Sequence, residues 1–288
     1  MADIVIIGAG RLGTSLGRAL AGRGHKIRAL TCRRKESAAE SRAIIGQGRA
    51  MTDNAAAARQ GTVILLCLPD EEIPRVASRL ARSRVDWRGK FVFHTSGLLP
   101  SRVLEPLQKK GALIASIHPV QAFAGKKTRP SHFRGISFGL EGDKKALALA
   151  GGLVRQLGGR AVVIPEDAKP LYHAAFSFAS NFLVILLDAA AGLLGQAKIP
   201  RDRAARMLFP LLQGTLRNVK KLDTAGCLTG PLVRGDAASV GAHLEALKRL
   251  PQYTEIYRKL SLMGLEMARK KGLPPKKVRA LKNRLGGR

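Results

Sequence analysis

The sequence predicts an α/β architecture: an N-terminal doubly wound, mostly parallel sheet followed by an all-helical C-terminal region. Three observations predict it. Residues 4–7 (IVII) run straight into Gly8-Ala9-Gly10-Arg11-Leu12-Gly13, and a helical pattern (Leu16, Ala19, Leu20) follows. Apolar runs of strand length then alternate with period-3.6 segments as far as residue 165, the signature of a parallel sheet with helices on both faces. From Glu166 onward only the helical period remains. The expected division is therefore residues 1–165 and 166–288.

In order along the chain, residues 26–31 (KIRALT) form the second expected strand and residues 62–68 (TVILLCL) a strand apolar on both faces. Residues 90–94 (KFVFH) and 113–118 (LIASIH) are two more, and 135–140 and 161–164 close the sheet. Helical patterns at 38–45, 73–81, 100–110 and 144–157 lie between them. The second region reads as helices over 168–196, 201–221, 237–250, 254–271 and 275–285. Pro165 and Pro200 precede helices, Asp236 is an N-cap, and Gly272 with Pro274 ends a helix.

The glycine run carries chemistry. Gly8 permits a tight turn out of the strand, Gly10 lets backbone approach a pyrophosphate, and Gly13 lets the helix pack on the strand. The phosphates then rest on free N–H groups at the helix start, near Arg11 and Leu12. The second strand ends Thr31-Cys32-Arg33-Arg34, where a site for NAD usually places a carboxylate. Two guanidiniums there suit a 2′-phosphate, so NADP(H) is the expected cofactor. Leu68 and Pro69, after the third apolar strand, are expected beside it.

Polar groups gather at the ends of two further strands, His94-Thr95-Ser96-Gly97 and His118-Pro119. In open parallel sheets ligands lie at these carboxyl ends, which makes Ser96 and His118 candidate substrate contacts. Lys169, His173, Ser177 and Asn181 are spaced by four on an otherwise apolar helix and form a polar stripe that needs partners or a cleft. His173 or Lys169 is the expected proton donor, with Asn181 and Ser177 orienting substrate. Arg234, in the loop Thr229–Gly230–Pro231 to Asp236, is a candidate carboxylate clamp.

The bulk composition narrows the class. Of 288 residues, 45% are apolar, and the formal net charge is +30, spread along the chain and densest from Lys248. Such a field attracts anionic ligands, yet no zinc-finger or RNA-recognition signature accompanies it, so specific nucleic-acid binding is not expected. Three scattered cysteines exclude a disulfide framework and a metal site and suit a reducing cytoplasm. A strand starting at residue 4 leaves no room for a signal peptide. Residues 174–195 are long enough to span a bilayer, but Ser177, Ser180, Asn181 and Asp188 favour a buried core helix.

Taken together, the motifs resemble a known family. The glycine turn is followed by Leu68-Pro69-Asp70, by HTSG at 94–97 and by SIHPVQAF at 116–123. YHAAFSFASN at 172–181 and LTGPLVRGD at 228–236 complete the set. This order resembles the Rossmann-like proteins that carry the C-terminal domain of unknown function 2520, kin to pyrroline-5-carboxylate reductase, prephenate dehydrogenase and ketopantoate reductase. The resemblance implies an NADP-binding domain, a helical substrate and dimerisation domain, a homodimer, and an oxidoreductase acting on a small anionic carbonyl or imine, with ketopantoate as the sharpest substrate. It departs from the wider hydroxyacid dehydrogenases, which place Lys and Asn four apart where this chain has Lys169 and His173. A non-catalytic NADP-binding sensor and a basic nucleic-acid-associated protein are the alternatives.

Overall fold

Alternate side chains of the first strand feed two separate cores. In β1 (Asp3–Ile7), Ile4 and Ile6 belong to one apolar cluster and Val5 and Ile7 to the other. This is the period-two pattern of a strand covered on both faces. The computed structural model describes residues 1–222 and 224–286. The sheet contains β1, β2 (Lys26–Thr31), β3 (Arg49–Met51), β4 (Val63–Leu66), β5 (Phe91–His94), β6 (Leu113–Pro119), β7 (Ser137–Gly142) and β8 (Arg160–Val163), in the order β3-β2-β1-β4-β5-β6-β7-β8.

Every pair is parallel except β6 with β7. The parallel strands β1, β4, β5 and β6 thus present their carboxyl ends along one edge. Helices α1 (Arg11–Ala21) and α2 (Lys35–Ile45) cover one face. Helices α3 (Asn54–Ala58), α4 (Glu72–Ala81) and α5 (Glu105–Gln108) cover the other. Helix α6 (Lys144–Gln156), between β7 and β8, joins α1 and α2 on the first face through Ala146, Ala150, Leu153 and Val154.

The short pair β3 and α3 was not expected from the sequence. Three residues at a sheet edge are too few to display a period, and the AAAA of α3 marks no face. The expected helix at 100–110 divides into a 3-10 turn (Ser101–Leu104) and α5.

The chain forms two compact units, Met1–Phe182 and Leu183–Arg288, so the division falls inside a long helical run rather than at the composition change near 165. That run comprises α7 (Lys169–Phe176), a π turn (Ser177–Asn181) and α8 (Phe182–Gln196). The second unit adds α9 (Arg201–Lys221), α10 (Thr224–Cys227), α11 (Pro231–Arg234), α12 (Ala237–Leu247), α13 (Pro251–Lys270) and α14 (Pro275–Leu285). Its core is small: Val240, Leu265, Ala268, Leu281 and Leu285 draw α12, α13 and α14 together. One expectation is overturned. The apolar helix read as buried core has no buried residue in α8; Val184, Ile185 and Leu186 are exposed. Apolar residues make up most of this helix, and none of them belongs to the α12–α14 core.

Candidate active site

The turn after β1 is built to receive an anion. Gly8 has φ +90°, a conformation that disfavours any side chain, and a Cβ there would sit 2.5 Å from the Cys67 carbonyl oxygen and 2.6 Å from Leu68 Cδ2. The N–H groups of Gly8 and Ala9 both donate to the Thr31 carbonyl, at 3.1 and 2.8 Å. A Cβ on Gly13 would lie 2.5 Å from the Gly8 carbonyl oxygen, so α1 rests directly on the turn. Gly10 differs from both, with nothing within 4 Å of its added Cβ. It is the N-cap of α1, no side chain caps the helix, and no acidic residue stands in the first turn. Open space over free N–H groups at a helix start fits a pyrophosphate.

Beside this cradle, Arg33 and Arg34 are exposed and make no ion pair among the described residues. Thr31 serves differently. Its hydroxyl donates to Asn54 Oδ1 at 2.7 Å, so its side chain anchors the strand end and its carbonyl holds the glycine turn. Cys67 fills apolar space beneath, and burial pushes its thiol up to about 12. Lys126 was not anticipated from the sequence. It ion-pairs with Glu40 at 2.6 Å, and its charge acts on the Cys32 thiol, which places a further cation beside the end of β2.

A second cluster occupies the ends of β5 and β6. On β6, Ser116 and His118 are two residues apart and share a face. On α7, Lys169, Tyr172, His173 and Phe176 follow the i, i+3, i+4, i+7 spacing of one helical face. Lys169 is only 2% exposed. Its ammonium donates to Ser116 Oγ at 2.6 Å and reaches the Ser96 carbonyl at 3.5 Å, while Ser116 Oγ donates to that same carbonyl at 3.1 Å. Burial lowers the Lys169 pKa, opposed by the charges of Glu141 and Asp70. Glu141 is itself buried and accepts from the N–H and hydroxyl of Ser101.

Two histidines organise this edge. His94 is fully buried; its Nδ1 accepts from the Ser96 N–H at 3.2 Å and its Nε2 donates to the Pro100 carbonyl at 3.2 Å. Burial first, then the nearby Lys169 charge, pushes its pKa down to about 3. His118 Nδ1 and the Tyr172 hydroxyl are 3.0 Å apart, and the His118 ring meets those of Tyr172, His173 and Phe176 with centroids 5.6, 6.2 and 6.2 Å away. Burial, then the neighbouring His173 and Lys169, pushes His118 down to about 4. Gly97 runs between the imidazoles; a Cβ there would meet His118 at 2.8 Å and His173 at 2.9 Å.

Comparison with known proteins agrees with this architecture. A Rossmann-like domain model matches residues 2–119, and the model described as Domain of unknown function (DUF2520) matches residues 136–263. The chain carries a Rossmann-like domain followed by a DUF2520 domain. Among solved structures it is similar to an NADP oxidoreductase from Bacteroides fragilis, at 26% identity and TM-score 0.76, covering 92% of this chain and 98% of that one. A Thermotoga maritima protein matches at 26% identity and TM-score 0.73, covering 93% and 99%. Pyrroline-5-carboxylate reductase from Coxiella burnetii shares the fold at 17% identity and TM-score 0.57, covering 95% and 99%. No curated protein matches.

In this DUF2520 protein the structure gathers Ser96, His118, Lys169 and His173 within the first unit. The stripe does not continue as spaced. The π turn after Phe176 shifts the later residues off the four-residue spacing; Ser177 Oγ donates back to the His173 carbonyl at 3.5 Å, and Asn181 is exposed. Ser96 Oγ accepts from the N–H groups of Leu98 and Leu99 at 3.1 and 2.9 Å, so this hydroxyl shapes the HTSG turn. Arg234 lies in the second unit, exposed, at the end of α11, where its carbonyl accepts from Lys277 at 2.9 Å. The sequence reading missed Tyr172 and Ser116. Both were findable: Tyr172 stands three residues after Lys169 and Ser116 two before His118, the spacings that share a face.

Proposed function

We propose that this protein is an NADP(H)-dependent oxidoreductase that transfers hydride to a small anionic carbonyl or imine. The observation that carries the reading is the buried Lys169 ammonium, bonded to Ser116 at the end of β6, on the same sheet edge as the open glycine cradle after β1. NADPH supplies the hydride when bound; Gly8 to Gly13 would hold its pyrophosphate, Leu68 and Pro69 would flank it, and Arg33 with Arg34 would fork onto its 2′-phosphate. The similarity to the Bacteroides NADP oxidoreductase supports that cofactor.

Lys169 has no carboxylate within ion-pair distance among the described residues, so its fixed charge favours negative charge developing on a bound substrate. In this reading His173, half-buried beside Gly97, delivers the proton. Ser96 and Ser116 keep the ammonium oriented. A 2-oxo acid such as ketopantoate is the specific substrate we propose, supported by this charge and by the basic surface of the whole chain.

The homodimer belongs to the same proposal. Helices α8 and α9 expose Val184, Ile185, Met207, Phe209 and Leu211, and a second copy would cover them. The run Lys169–Gln196 is long and apolar enough to cross a membrane, yet Asp188 within it pairs with Arg201 at 2.5 Å, a charge pair that favours a protein partner in the cytoplasm over lipid.

Steady-state NADPH oxidation with a panel of 2-oxo acids and cyclic imines tests the reading. His173→Ala is expected to lower kcat by about 100- to 10,000-fold while the Kd for NADPH holds. Unchanged kcat removes His173 from the role, and NADPH binding without turnover of any substrate marks a sensor.

A further inference from the structure

We propose that His118 is a neutral hydrogen-bond donor to the substrate's carbonyl oxygen, that Tyr172 is the positioning residue fixing its tautomer, and that the site therefore takes a carbonyl compound rather than an iminium. This rests on the hydride-transfer reading above and narrows its substrate.

The two strand-end histidines are used differently. His94 spends both ring nitrogens on the backbone of its own loop. His118 spends only Nδ1, on Tyr172, and its Nε2 has no protein partner among the described residues. No buried side-chain nitrogen or oxygen there lacks a partner, so Nε2 remains open to solvent or ligand. Its edge of the ring lies against Gly97, 2.8 Å from where a Cβ would stand, and only glycine leaves that edge clear.

The tautomer follows from the phenol. Tyr172 is held edge-on to Phe176, with ring centroids 4.8 Å apart and planes at 84°. Its oxygen sits over Gly139 of β7, the residue in register with His118 across the antiparallel pair, and any side chain at 139 would collide with it. His118 Nδ1 is the phenol's one hydrogen-bond partner among the described residues, and a hydroxyl whose single partner can accept donates its proton to it. Burial pushes Tyr172 up to about 12, so that proton stays on the phenol. With the Nδ1 lone pair engaged, the single proton of a neutral imidazole resides on Nε2.

An Nε2–H requires an acceptor. A carbonyl oxygen offers two lone pairs, whereas an iminium nitrogen offers none and would bring a second positive charge beside Lys169. In the balanced step, hydride adds to the carbonyl carbon, the C=O π pair moves to oxygen, and oxygen takes a proton from His173. The products are an alcohol and NADP⁺, and His118 keeps its proton throughout.

Nitrogen-15 NMR of the histidine-labelled full chain reads the tautomer directly. The expected result at neutral pH is an unprotonated Nδ1 and a protonated Nε2 on His118, with the Nδ1 signal moving in Tyr172→Phe; a protonated Nδ1 in the wild-type chain overturns the proposal. Kinetics supply the second arm. Tyr172→Phe should lower kcat with 2-oxo acids about tenfold with the KM for NADPH unchanged. His118→Gln, which keeps an N–H donor, should retain at least tenfold more activity than His118→Phe. Turnover of cyclic imines but of no 2-oxo acid overturns this inference and leaves hydride transfer standing; turnover of neither, with NADPH bound, overturns both.

Discussion

His94 shows how a buried side chain ties the site to stability. The folded chain holds it neutral, with a pKa of about 3 against an ordinary 6.5, because its ring is sealed beneath the HTSG turn. Between those values the unfolded chain binds a proton that the folded chain refuses, so stability is full above pH about 6.5 and is lost as pH falls toward 3. His118 adds a second such group over the window from about 6.5 to about 4. Each histidine should contribute about 1.4 kcal/mol of lost stability per pH unit below 6. Urea titrations at pH 7, 6 and 5 check this: His94→Gln should flatten the wild-type slope by about one proton. An unchanged slope would mean that His94 charges freely in the folded chain. At this scale the sequence was informative about residue types and weaker on their partners. Ser96, His118, Lys169 and His173 were legible from strand ends and helical spacing, and they do meet. That the Ser96 hydroxyl turns inward to cap its own loop, or that Tyr172 lies on His118, depends on the register of α7 against β6. Short-range spacing does not encode that register.

The strand–turn–helix unit at the N-terminus separates packing from ligand binding. Gly13 and Gly10 are three residues apart and do different work. A Cβ on Gly13 would overlap the Gly8 carbonyl, whereas one on Gly10 would enter empty space. Gly13→Ala should therefore destabilise the fold by about 1–3 kcal/mol. Gly10→Ala should leave Tm nearly unchanged and weaken NADPH binding about tenfold or more, by occupying the space a pyrophosphate needs. Thermal unfolding with fluorescence titration of NADPH separates the two, and a stable Gly10→Ala protein with full affinity would place the cofactor elsewhere. Elements with a clear period were readable: β1, β2, β4 to β8 and the long helices stand where the hydrophobic pattern puts them. The edge strand β3 and the π turn were not, because neither carries a repeating apolar signal. Helix α8 misled in an instructive way. Its composition reads as that of a buried helix, yet α8 has no buried residue.

For the whole molecule, that exposed helix and the basic field lead to separate expectations. A lysine at Ile185, now 55% exposed on α8, would put an unpaired charge into the proposed subunit contact. The penalty of about 3 kcal/mol should weaken a dimer roughly 100-fold. Sedimentation equilibrium should then find a dimer for the wild type and a monomer for Ile185→Lys; equal masses would assign the apolar face to another partner. The net charge of +30 would draw the proposed anionic substrate toward an edge whose buried cation is Lys169. All of this converges on one claim, that hydride moves from NADPH to a small carbonyl substrate at the ends of β5 and β6. The most direct measurement follows deuterium from NADPH labelled at the nicotinamide C4 into product by mass spectrometry. The account predicts label on the carbon that bears the new hydroxyl, and its disappearance in His173→Ala while NADPH still binds. Bound NADPH that passes no label to any 2-oxo acid or imine would contradict it.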